Sequence, residues 1–507
     1  MADLSRRALL GVLVAVPHSA PSAVQGYPKA RDAVTIGWPG DVAGWDPNRR
    51  FVPDAQPIYK MLYDQPLDQD PRLNLVPGLA KAWQLAPDAR SLEVELRDDV
   101  TFHDGTKLTS ADFRWTFHER IAAGHEVDTA RSWRKVVDIE TPSATRAIMR
   151  FGSPAPTAPA WLAFLGSFVV PKHYMQKVGL AAFGAHPVGT GPYRLAEHQP
   201  GTRIVLERND AYWGPKPTMR RVTVQIINNP SARAAAIESG NVDLTVAMPV
   251  RETARLGHIA TLEAELNPIT RIILLQVRDD AGFADRNIRL AAHHAIDKQA
   301  LSQAFYGNAA VPLSVPVIPG SPGFLDDFTF PHDPDMAREL LSRSGYSPAQ
   351  PARIRMATTR GQFPADYDIA RAIVGMWKTV GIEAALEVLD YARYFELNRA
   401  GRLPEATLYS FDNAIGDPEA YAGYLLAPHQ PYSPWKDTAL GEKVRGLFDV
   451  PGEAERIAGW RALNREAVEI GACMPLLRSV QTLVRRKDLA YRRFGNGWVL
   501  PQTMDWI

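Results

Sequence analysis

The histidines, the one cysteine and the carboxylates near them are where chemistry would first be sought in this chain. His118-Glu119 and His125 lie close together, but their spacing does not put two imidazoles on one helical face as an HExxH zinc motif does. His293-His294 with Asp297 is a stronger candidate, because His294 and Asp297 are three apart and share a helix face. Adjacent helical side chains point about 100° apart, so the two histidines cannot chelate one ion together without distortion. The first cluster reads as solvated surface and the second as helix packing. No GxSxG elbow, HExxH pair or GxxxxGK[ST] phosphate loop occurs. Cys473 is the only cysteine, so no intramolecular disulfide and no CxxC metal or redox site can form. It reads as a small buried side chain. The expectation is a protein that is not an enzyme, with no catalytic residues, no metal and no cofactor.

Composition narrows the classes further. The 507 residues exceed what one hydrophobic core usually serves, so two or more lobes are expected. Lys plus Arg is 57 and Asp plus Glu is 56, a balance with no footprint for nucleic acid or anionic membrane. Arg6-Arg7 followed by the apolar run Ala8 to Val16 reads as an export signal of about 23 residues, cut after Ala20 or Ala23. Ser5 to Leu10 is also similar to a twin-arginine signal, so the export route stays open. The run is too short to span a bilayer, and no later stretch is long and apolar enough. A periplasmic protein without a membrane anchor, most simply a monomer, is expected.

The elements that must position any site alternate between strand and helix, which indicates an α/β protein. Ala33 to Gly37, Arg203 to Leu206, Val222 to Ile227 and Arg271 to Gln276 read as strands. Ser91 to Leu96 alternates polar and apolar, as a half-buried strand does. Thr109 with Asp112 three residues on has the form of a helix start. Ser231 to Glu238, Asn287 to Tyr306, Asp335 to Ser344 and Ile369 to Val380 read as helices, each with a glycine close behind. The Pro-rich stretch Val311 to Pro322 reads as a long surface loop.

A series of blocks then carries a resemblance. Leu75-Val76-Pro77-Gly78-Leu79-Ala80-Lys81-Ala82-Trp83, Glu95 to Gly105, Thr109 to Phe113, Val188-Gly189-Thr190-Gly191-Pro192-Tyr193, Arg208 to Trp213, Gly240 to Asp243, Arg289 to Lys298 and Ala337 to Leu341 occur in this order. They resemble the extracytoplasmic solute-binding proteins, family 5, which serve dipeptide, oligopeptide and nickel ABC transporters. The resemblance implies a periplasmic binding protein-like type II fold: two lobes, a hinge, and an extra subdomain in the first lobe. The implied boundaries are 1–23 for the signal, 28–50 with 186–265 and 475–507 for the first lobe, 51–185 for its extra subdomain, and 266–474 for the second lobe. In Val188 to Tyr193, Gly189 and Gly191 suggest backbone conformations closed to other residues, in a strand-crossing or hinge segment. The implied partners are a small peptide or peptide-like ligand and the permease subunits of an ABC transporter. A sugar derivative, an opine-like compound, a nickel chelate, or a hydrolase built on the same scaffold are the competing readings.

The resemblance also nominates site residues. Ser410 to Pro418 is similar to the segment whose aspartate meets a peptide's α-ammonium group. Asp412 is the first choice and Asp417 its competitor, because two residues more than in the resembled segment separate Asp412 from Gly416-Asp417-Pro418. A buried carboxylate without a cation is costly, so a cleft aspartate favours a cationic ligand group. Thr358 to Gly361 resembles the arginine-bearing loop, and Arg360 can grip a carboxylate with two parallel hydrogen bonds. Trp38, Tyr409, Phe411 and Trp498 are expected near the cleft as its aromatic walls.

Overall fold

The computed structural model describes residues 31–507 apart from 50–54, 124–132, 165, 414, 421 and 429–432. The signal-like segment and His125 lie outside the described residues. A ten-stranded mixed sheet organises the rest. At its centre the long strands Leu262–Val277 and Cys473–Arg486 run antiparallel to each other. On one side of this pair follow Leu244–Val246, Ala33–Trp38, Arg221–Ile226, Arg203–Arg208 and Tyr193–Gln199; on the other lie Ala406–Phe411, Ala352–Thr358 and Ile382–Val388. The two central strands therefore belong to both lobes. Their ladder is interrupted between Pro268 and Ile272, where proline removes a donor and the register shifts.

Each lobe has its own core. Ile272 to Leu275 and Val277 are at most 0% exposed, as expected of a strand covered on both faces. They pack with Trp377, Ile373 and Trp460 of the second lobe. Val34, Ile36, Val222 and Val224 anchor the first lobe. Within the first lobe, the antiparallel strands Ala80–Leu85, Ser91–Leu96, Arg146–Phe151 and Val136–Ser143 form a separate sheet around Phe113, Phe117 and Trp133.

Several sequence motifs gain a physical reason. The expected cap is present: Asp112 accepts from the Thr109 backbone N–H at 3.0 Å and closes a capping box. Asp243 is fully buried and accepts from the Thr35 backbone N–H at 2.8 Å, tying the end of one crossover to the first strand. Gly189 and Gly191, however, are not needed for special backbone angles. A Cβ on Gly191 would lie 2.4 Å from the Leu62 carbonyl carbon, and one on Gly189 would lie 2.0 Å from the Leu62 carbonyl oxygen. These glycines serve close backbone packing against the helix Gln56–Leu62, and neither has a positive φ.

Two other expectations change. The helix expected over Asn287 to Tyr306 is two helices, Arg286–His294 and Lys298–Tyr306, because Asp297 caps the second by accepting from the Ala300 N–H at 2.8 Å. The Val311 to Pro322 stretch has no regular element, but Leu313, Val315 and Val317 are buried, so it is a core-covering segment and not a surface loop. His293, in the cluster weighed for metal binding, is buried with its ring stacked 3.8 Å from Phe330.

Candidate functional site

Ligand sites of open α/β sheets form beyond the carboxyl ends of parallel strands. In the second lobe Ala352–Thr358 runs parallel to Ala406–Phe411, with Met356 opposite Ala406. The loops carrying Arg360 and Asp412 therefore leave the same edge. In the first lobe Ala33–Trp38 runs parallel to Arg221–Ile226 and Leu244–Val246, and Trp38 ends its strand at the corresponding edge.

Asp412 follows its strand directly and is half-buried. Its Oδ1 accepts from the Thr270 hydroxyl at 2.8 Å. Thr270 lies inside the interrupted stretch of the central ladder, and its backbone N–H donates to the Gly495 carbonyl at 3.1 Å. One residue of the crossing strand thus links the Asp412 loop to the C-terminal loop bearing Trp498. In those loops Asn413 Oδ1 and Asn496 Nδ2 are buried and have no hydrogen-bond partner among the described residues. Unmet buried groups of this kind cost about 1–3 kcal/mol each.

Arg360 is exposed, with its guanidinium 4.1 Å from the centre of the Tyr367 ring. Its loop is wound around the buried Asp366 carboxylate. That group accepts from the backbone N–H groups of Gly361, Gln362 and Tyr367 at 3.0, 2.9 and 2.8 Å, and from the Thr359 hydroxyl at 3.0 Å. Burial pushes the Asp366 carboxyl above its ordinary range against these four hydrogen bonds. Gly361 has φ +89°, a left-handed turn that releases Arg360 from the strand direction.

The remaining nominated residues have other surroundings. Asp417 is buried: its Oδ2 accepts from Arg456 Nη1 at 2.6 Å and its Oδ1 from the Glu419 backbone N–H at 3.0 Å. Tyr409 stacks on Tyr394 with ring centres 4.3 Å apart and planes within 5°, and Phe411 meets Tyr409 edge-on at 5.1 Å. Tyr409 therefore packs beneath the helix Tyr391–Arg399 in a small aromatic core, with Phe411 half-buried at its margin. Trp38 is buried within the first lobe's core. Trp498 is also buried, parallel to Phe164 at 6.4 Å, with Lys60 Nζ 5.0 Å from its ring centre.

Sequence reasoning missed Thr270, which has no motif around it, and Asp366, whose only signal is an acidic residue at a helix start. It also missed a second contact region between the lobes. Ile415 and Ala420 of the second lobe share one hydrophobic cluster with Trp161, Leu162 and Phe164 of the extra subdomain, together with Phe494, Trp498 and Leu500. Beside it the Thr157 hydroxyl donates to Glu419 Oε2 at 2.9 Å. Lys135 Nζ donates to Asp449 Oδ1 and to the Phe448 carbonyl, both at 2.8 Å.

Comparison with known proteins places this architecture. Residues 74–432 match the model of the bacterial extracellular solute-binding proteins, family 5. The nickel-binding periplasmic protein of Escherichia coli strain K12 is 25% identical over 491 residues, 91% of each chain. Di/tripeptide-binding protein 2 of Pseudomonas aeruginosa is 22% identical over 527 residues, 97% of each. Among solved structures, the periplasmic binding protein DppA of Helicobacter pylori in complex with the peptide STSA superposes with a TM-score of 0.83 at 20% identity, covering 94% of this chain and 98% of that one. The two-lobed fold, the ordered sequence blocks and the family match lead to one conclusion: this chain belongs to the bacterial extracellular solute-binding proteins, family 5.

Proposed function

We propose that this protein is the periplasmic substrate-binding subunit of an ABC transporter, capturing a short peptide between its lobes and handing it to the permease. It binds without altering the ligand, acts as a monomer and carries no membrane anchor. The lobe boundaries fall at 28–50, 186–265 and 475–507 for the first lobe, 51–185 for the extra subdomain and 266–474 for the second.

The observation that carries the reading is the placement of Asp412 and Arg360 at one edge of the second lobe, with Asp412 tied to the crossing strand through Thr270. Asp412 receives the ligand's α-ammonium group and Arg360 its carboxylate. Asp417 is the weaker choice because both its oxygens are already bonded inside the second lobe. Asn413 Oδ1 and Asn496 Nδ2 offer the acceptor and the donor that a peptide amide would satisfy. Trp498 and Phe411 flank this edge, while Trp38 and Tyr409 support it from the cores.

Thermal unfolding in the presence of a peptide panel tests the proposal. A ligand at about 100 times its Kd adds roughly 2.7 kcal/mol of stability. Peptides with free termini should raise the midpoint. A rise with an oligosaccharide, an opine or a nickel chelate and none with any peptide would refute the ligand class, and sustained peptide hydrolysis would refute the carrier role.

A further inference from the structure

The second contact region between the lobes contains two buried carboxylates and one cation in contact with them. Asp417 and Glu419 are each 8% exposed and stand two residues apart, Glu419 on the short turn Pro418–Ala420 and Asp417 just before it. Arg456, from the helix Glu453–Glu469, donates to Asp417 at 2.6 Å and is itself 5% exposed. Glu419 receives the Thr157 hydroxyl from the opposite lobe instead. The remaining nearby cation, Lys135, is committed to Asp449, the Phe448 carbonyl and the Pro154 carbonyl. Among the described residues, Asp417, Lys135 and Arg456 are the charged side chains that act on Glu419. A buried carboxyl with a hydroxyl donor and no contacting cation favours the neutral acid.

We propose that Glu419 is a proton-operated latch, entering the closed seam between the lobes as the carboxylic acid, so that mild acidification favours closure. Thr157, the other side of the latch, belongs to the extra subdomain, which gives that subdomain a role in setting affinity without touching ligand. The proposal presupposes lobes that open and close, as the proposed capture requires, but not the identity of the ligand.

The sign follows from burial. In the closed seam, loss of water first and the neighbouring Asp417 charge second push the Glu419 carboxyl up to about 7, against an ordinary value of 4.5. Opening the seam returns water to the carboxyl and lowers that value. The closed state therefore binds more protons between these limits, and closure is favoured as pH falls through 7. The closure constant therefore rises from pH 8 to pH 6.

Small-angle X-ray scattering on the ligand-free protein tests this without any ligand. The radius of gyration should be smaller at pH 6 than at pH 8, with near-ultraviolet circular dichroism showing native packing at both. Glu419→Gln keeps the shape and an acceptor for Thr157 while removing the ionisation, and it should be equally compact at both pH values. A wild-type radius that does not fall at pH 6, or a Glu419→Gln protein that keeps the wild-type pH dependence, would overturn the latch. Either result would leave the peptide-capture reading to its own thermal test.

Discussion

Thr270 donates its hydroxyl to Asp412 at 2.8 Å, and its own backbone N–H reaches the Gly495 carbonyl at 3.1 Å. A residue on the strand that crosses between the lobes thus holds both the acidic loop of the second lobe and the C-terminal loop that carries Trp498. The geometry ties the candidate ammonium partner to the part of the fold that must deform when the lobes move.

Asp412→Ala should weaken binding of a dipeptide with a free amino terminus by about 10- to 100-fold, the usual worth of a charged hydrogen bond. The N-acetylated dipeptide has no ammonium group and should lose much less. Isothermal titration calorimetry with both ligands checks this. Equal losses would remove Asp412 from the ammonium role.

Arg360→Gln should discriminate at the other end of the ligand. Peptides with a free carboxyl terminus should bind about tenfold more weakly, and carboxy-amidated peptides nearly as before. Arg360 is exposed and stacked on Tyr367, so folding stability should stay within about 0.5 kcal/mol of wild type. A matching loss for amidated peptides would assign Arg360 to the loop's structure and not to recognition.

Arg456→Met should destabilise the fold by about 3–5 kcal/mol, because it leaves the Asp417 carboxylate buried without its cation beside Glu419. Urea unfolding at pH 7.5 measures it. A loss below about 1 kcal/mol would mean that Asp417 is not committed to this pair and would return it to contention as a ligand residue.

Gly191→Ala places a methyl group 2.4 Å from the Leu62 carbonyl carbon and 2.7 Å from the Tyr63 nitrogen, both backbone atoms that cannot rotate aside. A cost of about 1–3 kcal/mol or more follows from overpacking of this kind. Gly40→Ala is the control, since its Cβ would meet nothing within 4 Å. Comparable thermal midpoints for the two variants would contradict the packing role assigned to Gly191.

Much of the fold was legible because it is written in local chemistry. The alternation of Ser91 to Leu96 acts along one strand, and the Thr109 and Asp112 capping pair acts within three residues. What escaped depends on distant neighbours. Gly189 and Gly191 read as conformational glycines, yet their reason is a helix end more than a hundred residues earlier in the chain. The break between Arg286–His294 and Lys298–Tyr306 was masked by helix-forming side chains on both sides of Asp297. Asp417 competed with Asp412 in sequence, and only the tertiary structure shows that Arg456 holds it. The Thr157 and Glu419 contact joins residues 262 positions apart and has no local signature at all.

Native mass spectrometry of the protein, purified without denaturation from the cells that make it, tests the central claim most directly. Peptide capture predicts a population heavier by the mass of a short peptide, released on activation and sequenced by fragmentation. A bound sugar, opine or metal chelate in its place would contradict the account.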